Sequence, residues 1–222
     1  MAAGLRYKWQ GSSIKIMIGF QGDSPSDTAI TAISKANPAV VTSNGHGLSN
    51  GDVVRLVGIV GMTELNNGVF LVNNKAANTF ELFGVDSTGY ATYVSGGFID
   101  VGEFSNLCEL TNYNRQGGSS PEIDATSLCS DAAEYEIGLP DFGTTALDFN
   151  FAPLTSNVQG VLHDFYLSGD VTGVKVTLPK SGGSMTLLGF VQQESETAGN
   201  GGIWKATATL RNTGNRLDLV AA

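Results

Sequence analysis

The chain has 222 residues, of which 41% are hydrophobic and 15% charged, and its formal net charge is −9. This is enough apolar material for one medium domain or two small ones, and it excludes a disordered chain. The acidity excludes a protein that grips nucleic acid through its phosphates, which takes clustered Lys and Arg. No apolar run approaches the ~20 residues of a membrane helix, so no membrane insertion is expected.

Twenty-nine glycines against six prolines point to many tight turns, as a mainly β chain needs. Met1 to Gln10 carries Arg6 and Lys8 but no apolar stretch before Ser12, so no signal peptide is expected. Ile14, Ile16 and Ile18 alternate with Lys15 and Met17 and predict a strand, followed by the turn-rich 21–27. Five short strands come next: Ile30–Ile33, Val40–Thr42, Val53–Val57, Val69–Val72 and Thr79–Leu82. Asn44-Gly45, Asn50-Gly51, Asn67-Gly68 and Asn73-Asn74 separate them with turn chemistry, and Gly96-Gly97 is read as the border of the segment. Beyond it the strands lengthen. Asn106–Tyr113 is a candidate strand, and Thr144–Phe151 alternates cleanly, with Thr145, Leu147, Phe149 and Phe151 on one face and Ala146, Asp148 and Asn150 on the other. Val158, Val161, Leu162, Phe165 and Tyr166 form one apolar helical stripe, with Thr155 or Ser156 to cap its start and Gly169 its end. Val171–Leu178, Ser184–Gln192 and Ile203–Arg211 follow as strands, joined by Gly182-Gly183 and by the turn at 199–202.

Charge divides the chain. Residues 28–97 hold three bases (Lys35, Arg55, Lys75) and four acids (Asp52, Glu64, Glu81, Asp86), for −1, which leaves nine bases and seventeen acids, −8, for the remainder. The expected organisation is therefore one discontinuous domain, 1–27 with 98–222, and a small β-barrel-like module inserted at 28–97. The ends of the module leave the host side by side, so that its removal is expected to leave the host intact.

No catalytic constellation is convincing. Gly47-Leu48-Ser49-Asn50-Gly51 has the spacing of a nucleophile elbow, but that motif sits between a strand and a helix, whereas here a strand follows. The two histidines, His46 and His163, are the available bases. Asp86-Ser87-Thr88-Gly89 has the Asp-Ser/Thr-Gly pattern of aspartic proteases without the second copy their shared proton demands. Cys108 and Cys129 read as free thiols of a reducing cytoplasm, with a disulfide or a metal site as the alternative. With His46 and His163 they make no zinc spacing. Trp9 and Trp204 are read as core or interface anchors ahead of a sugar platform. From Glu122 to Asp141 six acids (Glu122, Asp124, Asp131, Glu134, Glu136, Asp141) occur with no Lys or Arg. No EF-hand spacing appears among them. Such a run is either a solvated loop or a loop that meets bases on another subunit. No enzyme, no cofactor and no metal are expected.

Two stretches resemble known families. Pro121–Ser130, Asp131, Glu134-Tyr135, Gly138–Gly143 and the strand ending Asn150-Phe151-Ala152-Pro153 resemble the major tail tube proteins of long, non-contractile-tailed phages, and Phe98–Phe104 resembles the strand preceding them. Lys35–Thr42, His46–Leu48, Asn50–Asp52, Gly61-Met62, Glu64–Asn66, Phe70, Val72, Asn78–Leu82 and Gly84–Tyr90 resemble a small β-module of phage proteins named after a domain of ubiquitin-activating enzymes. The tube resemblance implies a β-sandwich or half-barrel with one packed helix, in hexameric rings stacked around a channel for DNA, located in the virion tail and made in the host bacterial cytoplasm. It implies Asp148, Asn150, Glu109 and Thr111 as lumen-facing residues and the six acids of Glu122–Asp141 as an inter-ring loop. Met1–Gly11, with Arg6, Lys8 and Trp9, becomes an arm reaching a neighbouring subunit. Expected partners are the chain itself and the tail-tip, tape-measure and terminator proteins, with DNA passing without specific binding. A host-surface adhesin or tail-tip protein, with residues 28–97 binding carbohydrate, is the alternative.

Overall fold

Alternating apolar side chains build a mainly β molecule, as expected. The computed structural model describes residues 6–21, 29–153 and 157–220. In chain order the strands are β1 (Ser13–Phe20), β2 (Ala32–Ile33), β3 (Val40–Thr42), β4 (Val53–Val60), β5 (Val69–Asn73), β6 (Thr79–Leu82), β7 (Ser95–Asn106), β8 (Leu110–Gln116), β9 (Glu122–Asp124), β10 (Tyr135–Ile137) and β11 (Thr144–Asn150). Helix α1 (Asn157–Ser168) precedes β12 (Val171–Thr177), β13 (Ser184–Thr197), β14 (Lys205–Asn212) and β15 (Leu217–Leu219). All but β9 and β10 belong to one sheet in the order β2-β3-β6-β5-β4-β7-β1-β12-β13-β14-β11-β8, with β15 beside β13.

The sheet curls twice. From β7 to β8 it wraps around Ile14, Ile16, Val174, Leu187, Leu147, Leu210 and their neighbours, and α1 covers the opening with Val158 and Leu162. Although β7 and β8 stand at opposite ends of this curl, a short turn joins them, fixed where the Leu107 N–H donates to Ile14 O at 3.0 Å. The result is a half-barrel, with no ladder closing it among the described residues. From β2 to β7 the sheet curls a second time, around Val41, Leu56, Met62, Leu65, Phe80 and Leu82. An isolated bridge from Ala29 to Phe98 brings the start of this curl back beside its end.

Strand β7 belongs to both curls. Ser95–Val101 pairs with β4 and Gly102–Asn106 with β1. Gly96-Gly97, read from sequence as a border, therefore lies inside a continuous strand. The chain exits do sit side by side: the Gln21 N–H donates to Val101 O at 2.9 Å and the Ile30 N–H to Gly97 O at 3.0 Å. The turn-rich 22–27 and the helix cap at Thr155 or Ser156 lie outside the described residues.

Residues 28–97 are not merely tethered to the remainder. Met17, on the face of β1 opposite its isoleucines, is buried with Val53 and Leu71 of that segment and with Leu217. Arg55 donates from Nε and Nη2 to Asp100 Oδ2 at 3.0 and 2.6 Å, while its guanidinium lies 4.5 Å from the centroid of Phe20. Asp100 is only 2% exposed, and a carboxylate so buried is strongly unfavourable without its cation. Thr186 Oγ1 donates to Gly51 O at 3.2 Å, and Lys175 reaches Asp52 at 3.4 Å.

Other differences from the sequence reading have local causes. Asn106–Tyr113 is the end of β7, a turn and the start of β8. Strand β13 runs on to Thr197, and β15 was not foreseen because it spans only Leu217–Leu219. Along α1, Val158 and Leu162 are buried, but Tyr166 is 44% exposed. Gly169 ends the helix in the left-handed conformation, its N–H donating to Phe165 O at 3.0 Å.

The cluster shared by the two curls is expected to make them unfold together. Leu71→Ala removes a side chain from this cluster and is expected to cost about 2–5 kcal/mol. Chemical denaturation followed by tryptophan fluorescence, which reports Trp9 and Trp204 in the first curl, checks this. A loss of stability visible at those tryptophans supports coupling, and an unchanged tryptophan transition refutes it.

Candidate assembly surfaces

The outward face of β13, β14, β11 and β8 is a polar wall. On β11, Leu147 and Phe149 point into the core and Asp148 and Asn150 away from it. Register puts Asn112 and Thr207 on either side of Asp148, with Lys205 beside Asn150. Asn112 Nδ2 donates to Asp148 Oδ2 at 2.9 Å, and Thr207 Oγ1 to Oδ1 at 2.7 Å. Thr111 occupies the irregularity that lets Phe149 face Leu110, and its Oγ1 donates to Asp148 O at 3.0 Å. Glu109 lies at the rim, 3.5 Å from Asn150 Nδ2. The structure thus brings Asp148, Asn150, Glu109 and Thr111 together.

The same face carries residues that sequence reasoning missed. Asn114 and Gln116 on β8, Thr209 on β14, and Gln193 and Ser195 on β13 extend it in register. Their signal was the alternation of amides and hydroxyls with Tyr113, Ala208 and Leu210. Charge on this wall is sparse and balanced. Besides Asp148 and Glu109 it bears Lys205 and Arg211, and Arg211 is paired with Asp141 at 2.9 Å. The acidity of the chain is therefore not concentrated here.

The acidic run forms a protrusion. Among the described residues, strands β9 and β10 pair only with each other, in register Tyr135 to Asp124, Glu136 to Ile123 and Ile137 to Glu122. Glu122, Asp124, Asp131, Glu134 and Glu136 are all exposed. Asp124 accepts from the Thr126 side chain and N–H, which hold its carboxyl below the usual range. Asp141 instead sits at the root, where its Oδ1 accepts from the Gly143 N–H and Arg211 binds its other oxygen. Gly143, at φ +78°, and Gly118 permit the two arms of the root to cross in close contact, where a Cβ on either would strike backbone atoms. Asn212 then ties the root to the sheet, its Nδ2 donating to Phe142 O at 3.1 Å and its Oδ1 accepting from Thr145 Oγ1 at 3.0 Å. The acids of this stretch stand out in the sequence, whereas the exposure of its apolar residues does not. Ile123, Leu128, Tyr135, Ile137 and Leu139 are all more than half exposed, and Leu128 is wholly so.

Arg6, Lys8 and Trp9 are also exposed. Tyr7 lies over Gly182, and Trp9 borders a cleft of about 420 Å³ with Ile14, Asn106, Leu107, Cys108 and Leu110. Cys108 and Cys129 are both exposed free thiols, one in this cleft and one on the protrusion. Trp204 is half-exposed and stacked on Phe151, with ring centroids 5.9 Å apart.

The polar residues of the 28–97 motifs hold turns. His46 Nδ1 accepts from the Leu48 N–H at 3.1 Å, which leaves Nε2 to donate to Ala76 O at 3.1 Å. Neither nitrogen is left to serve Ser49, whose N–H donates to Asp52. Asp86 accepts from the Thr88 N–H and hydroxyl, and its carboxyl is lowered by them. Ser87, fully buried, bridges Ser34 and Ala36. Asn66 mimics a backbone pair, accepting from the Ile59 N–H and donating to Ile59 O.

Residues 36–101 match the family model of the ubiquitin-activating enzyme E1 FCCH domain. Over 87 residues the chain is 31% identical to ubiquitin-like modifier-activating enzyme 1 of Oryctolagus cuniculus, covering 38% of this chain but only 8% of that enzyme. The matched region contains no cysteine. Among solved structures, the fold overlaps a chain of the C6-symmetric tail of an empty gene transfer agent particle (TM-score 0.43, 15% identity, 54% of this chain and 88% of that one). It overlaps a chain of the native gene transfer agent virion to a similar degree (0.42, 14%, 53% and 89%). The six-fold anti-feeding prophage baseplate gives 0.39 at 10% identity, over 78% of this chain and 95% of that one.

Helix α1 is joined to the sheet by a titratable contact. His163 Nδ1 lies 2.9 Å from Glu194 Oε2 on β13. This hydrogen bond and the charge of Glu194 raise the imidazole above its ordinary 6.5, and Asp164 and Glu196 add to the shift. Because the folded value is raised, the stabilisation is complete at pH below the unfolded value and is lost as pH rises through the folded one. Wild type is thus expected to lose thermal stability relative to His163→Ala as pH rises above about 6.5. Parallel melting curves for the two proteins would refute it.

Proposed function

We propose that this chain is a structural virion protein that self-assembles into stacked, hexameric rings, forming the tail tube through which DNA reaches the host. The observation that carries the reading is the polar wall ending in β8, an edge strand paired on one side alone among the described residues. Unpaired N–H and C=O groups on such an edge invite another strand. Continuation of the wall by a neighbour's strand satisfies them and extends the amide- and hydroxyl-lined face around a channel. Asp148, Asn150, Glu109 and Thr111 then face that channel.

Phosphates find little to bind on this wall. Arg211 is neutralised by Asp141, and Lys205 stands beside hydroxyls and amides, so that DNA slides over groups that compete poorly with its own hydration. The wall is polar and nearly neutral. The protrusion of Glu122–Asp141 serves as the inter-ring loop, and Arg6, Lys8 and Trp9 belong to an arm reaching a neighbour. Residues 28–97 form the module that projects outside the tube. Tail-tip, tape-measure and terminator proteins complete the set of partners, and no catalytic or cofactor role is assigned.

Electron microscopy of the purified protein tests this directly. Six-fold rings or tubes with an open bore are expected, whereas compact particles that bind cells or glycans favour a host-surface adhesin. In the double variant Asp131→Lys with Glu134→Lys, both changed residues are exposed, so the monomer is expected to fold while tubes become shorter. Unchanged tube length would remove the loop from the contact.

A further inference from the structure

The protrusion and the Trp9 cleft lie at opposite ends of one strand. The protrusion leaves β8 after Gln116, and the cleft includes Leu110, where β8 begins. Seven residues of strand separate them by about 20 Å. Their chemistry is complementary. The protrusion exposes Ile123, Leu128, Tyr135, Ile137 and Leu139 amid five exposed acids and no base. The cleft offers the half-exposed Trp9 and the half-buried Leu110 over a floor where Ile14 and Leu107 are buried, with Ser13 and Asn106 on its polar side. The adjoining arm bears Arg6 and Lys8. Its volume of about 420 Å³ suits insertion of side chains. Glu109, between Cys108 and Leu110 in the chain, has its carboxylate turned toward Asn150 on the wall.

We infer that the β9–β10 protrusion of one copy docks in the Trp9–Leu110 cleft of the next. The inference rests on the tube reading for its stacking direction and goes further by naming the receptor surface. A projection at one end of the molecule and its receptor at the other make a heterologous contact, which propagates from copy to copy. The apolar side chains of the protrusion gain burial in the cleft, and its acids gain Arg6 and Lys8. The five exposed apolar residues, which the monomer leaves in water, thereby find cover.

The two cysteines of the chain report on this contact. Cys129 rides on the protrusion and Cys108 lines the cleft, and both thiols are exposed. A short bismaleimide adds to one thiolate at each end, without an oxidant. With wild-type assemblies it is expected to give a ladder of covalent dimers, trimers and higher species on a denaturing gel. Cys108→Ser and Cys129→Ser must each abolish the ladder. Leu128→Asp, at a wholly exposed position, is expected to reduce it about tenfold or more. Microscopy of the same samples separates the outcomes. Tubes without cross-links, or dimers that persist in Cys108→Ser, overturn the docking and leave the tube reading standing. A ladder without tubes supports the docking and overturns the tube. Dispersed monomers with no cross-links overturn both.

Discussion

Strand β7 is shared by two hydrophobic cores, and much of the structure depends on that sharing. Its first seven residues close the small curl of 28–97 against β4, and its last five open the half-barrel beside β1. Hydrogen bonding is thus continuous from β2 to β8, and the buried Asp100 on β7 takes its countercharge from Arg55 on β4. Breaking that pair would leave a carboxylate in apolar surroundings, a cost far above that of losing a surface ion pair. What reads in sequence as an inserted module is joined to its host by a common strand, a common apolar cluster and a buried charge pair.

The chain distributes its polar residues by task. In 28–97 they hold turns: His46, Asn66, Asp86 and Ser87 all spend their bonding capacity on nearby backbone or neighbouring side chains. On the wall they form a nearly neutral surface of amides and hydroxyls. On the protrusion they are unopposed carboxylates among exposed apolar side chains. His46, Asn66, Asp86 and Ser87 all lie within residues 36–101, the stretch that matches the FCCH domain model.

Much of this was legible from the residues. The alternation at Thr144–Phe151 located β11 and correctly separated Asp148 and Asn150 from Leu147 and Phe149, because a strand with one buried face must alternate. The Asn-Gly pairs between short strands marked the turns of 28–97. Other features were hidden for physical reasons. Gly96-Gly97 looks like a turn, yet these glycines lie within β7, since conformational freedom alone does not distinguish a turn from a distorted strand. Asn106–Tyr113 conceals a turn because Leu107 and Leu110 are apolar and anchor it to the core. The acidic stretch drew attention to its charges, while Leu128 and Ile137 passed as ordinary apolar residues because exposure is a property of the fold.

The edge strand β8 carries the acidic protrusion at one end and the cleft at the other, and this gives the molecule a direction. Any filament that joins these two features has chemically distinct ends, one presenting greasy carboxylate-rich knobs and the other empty sockets flanked by cations. Factors that start and stop its growth must therefore be different proteins or different surfaces. A stopper at the knob end needs to imitate a socket, and one at the socket end needs to imitate a knob.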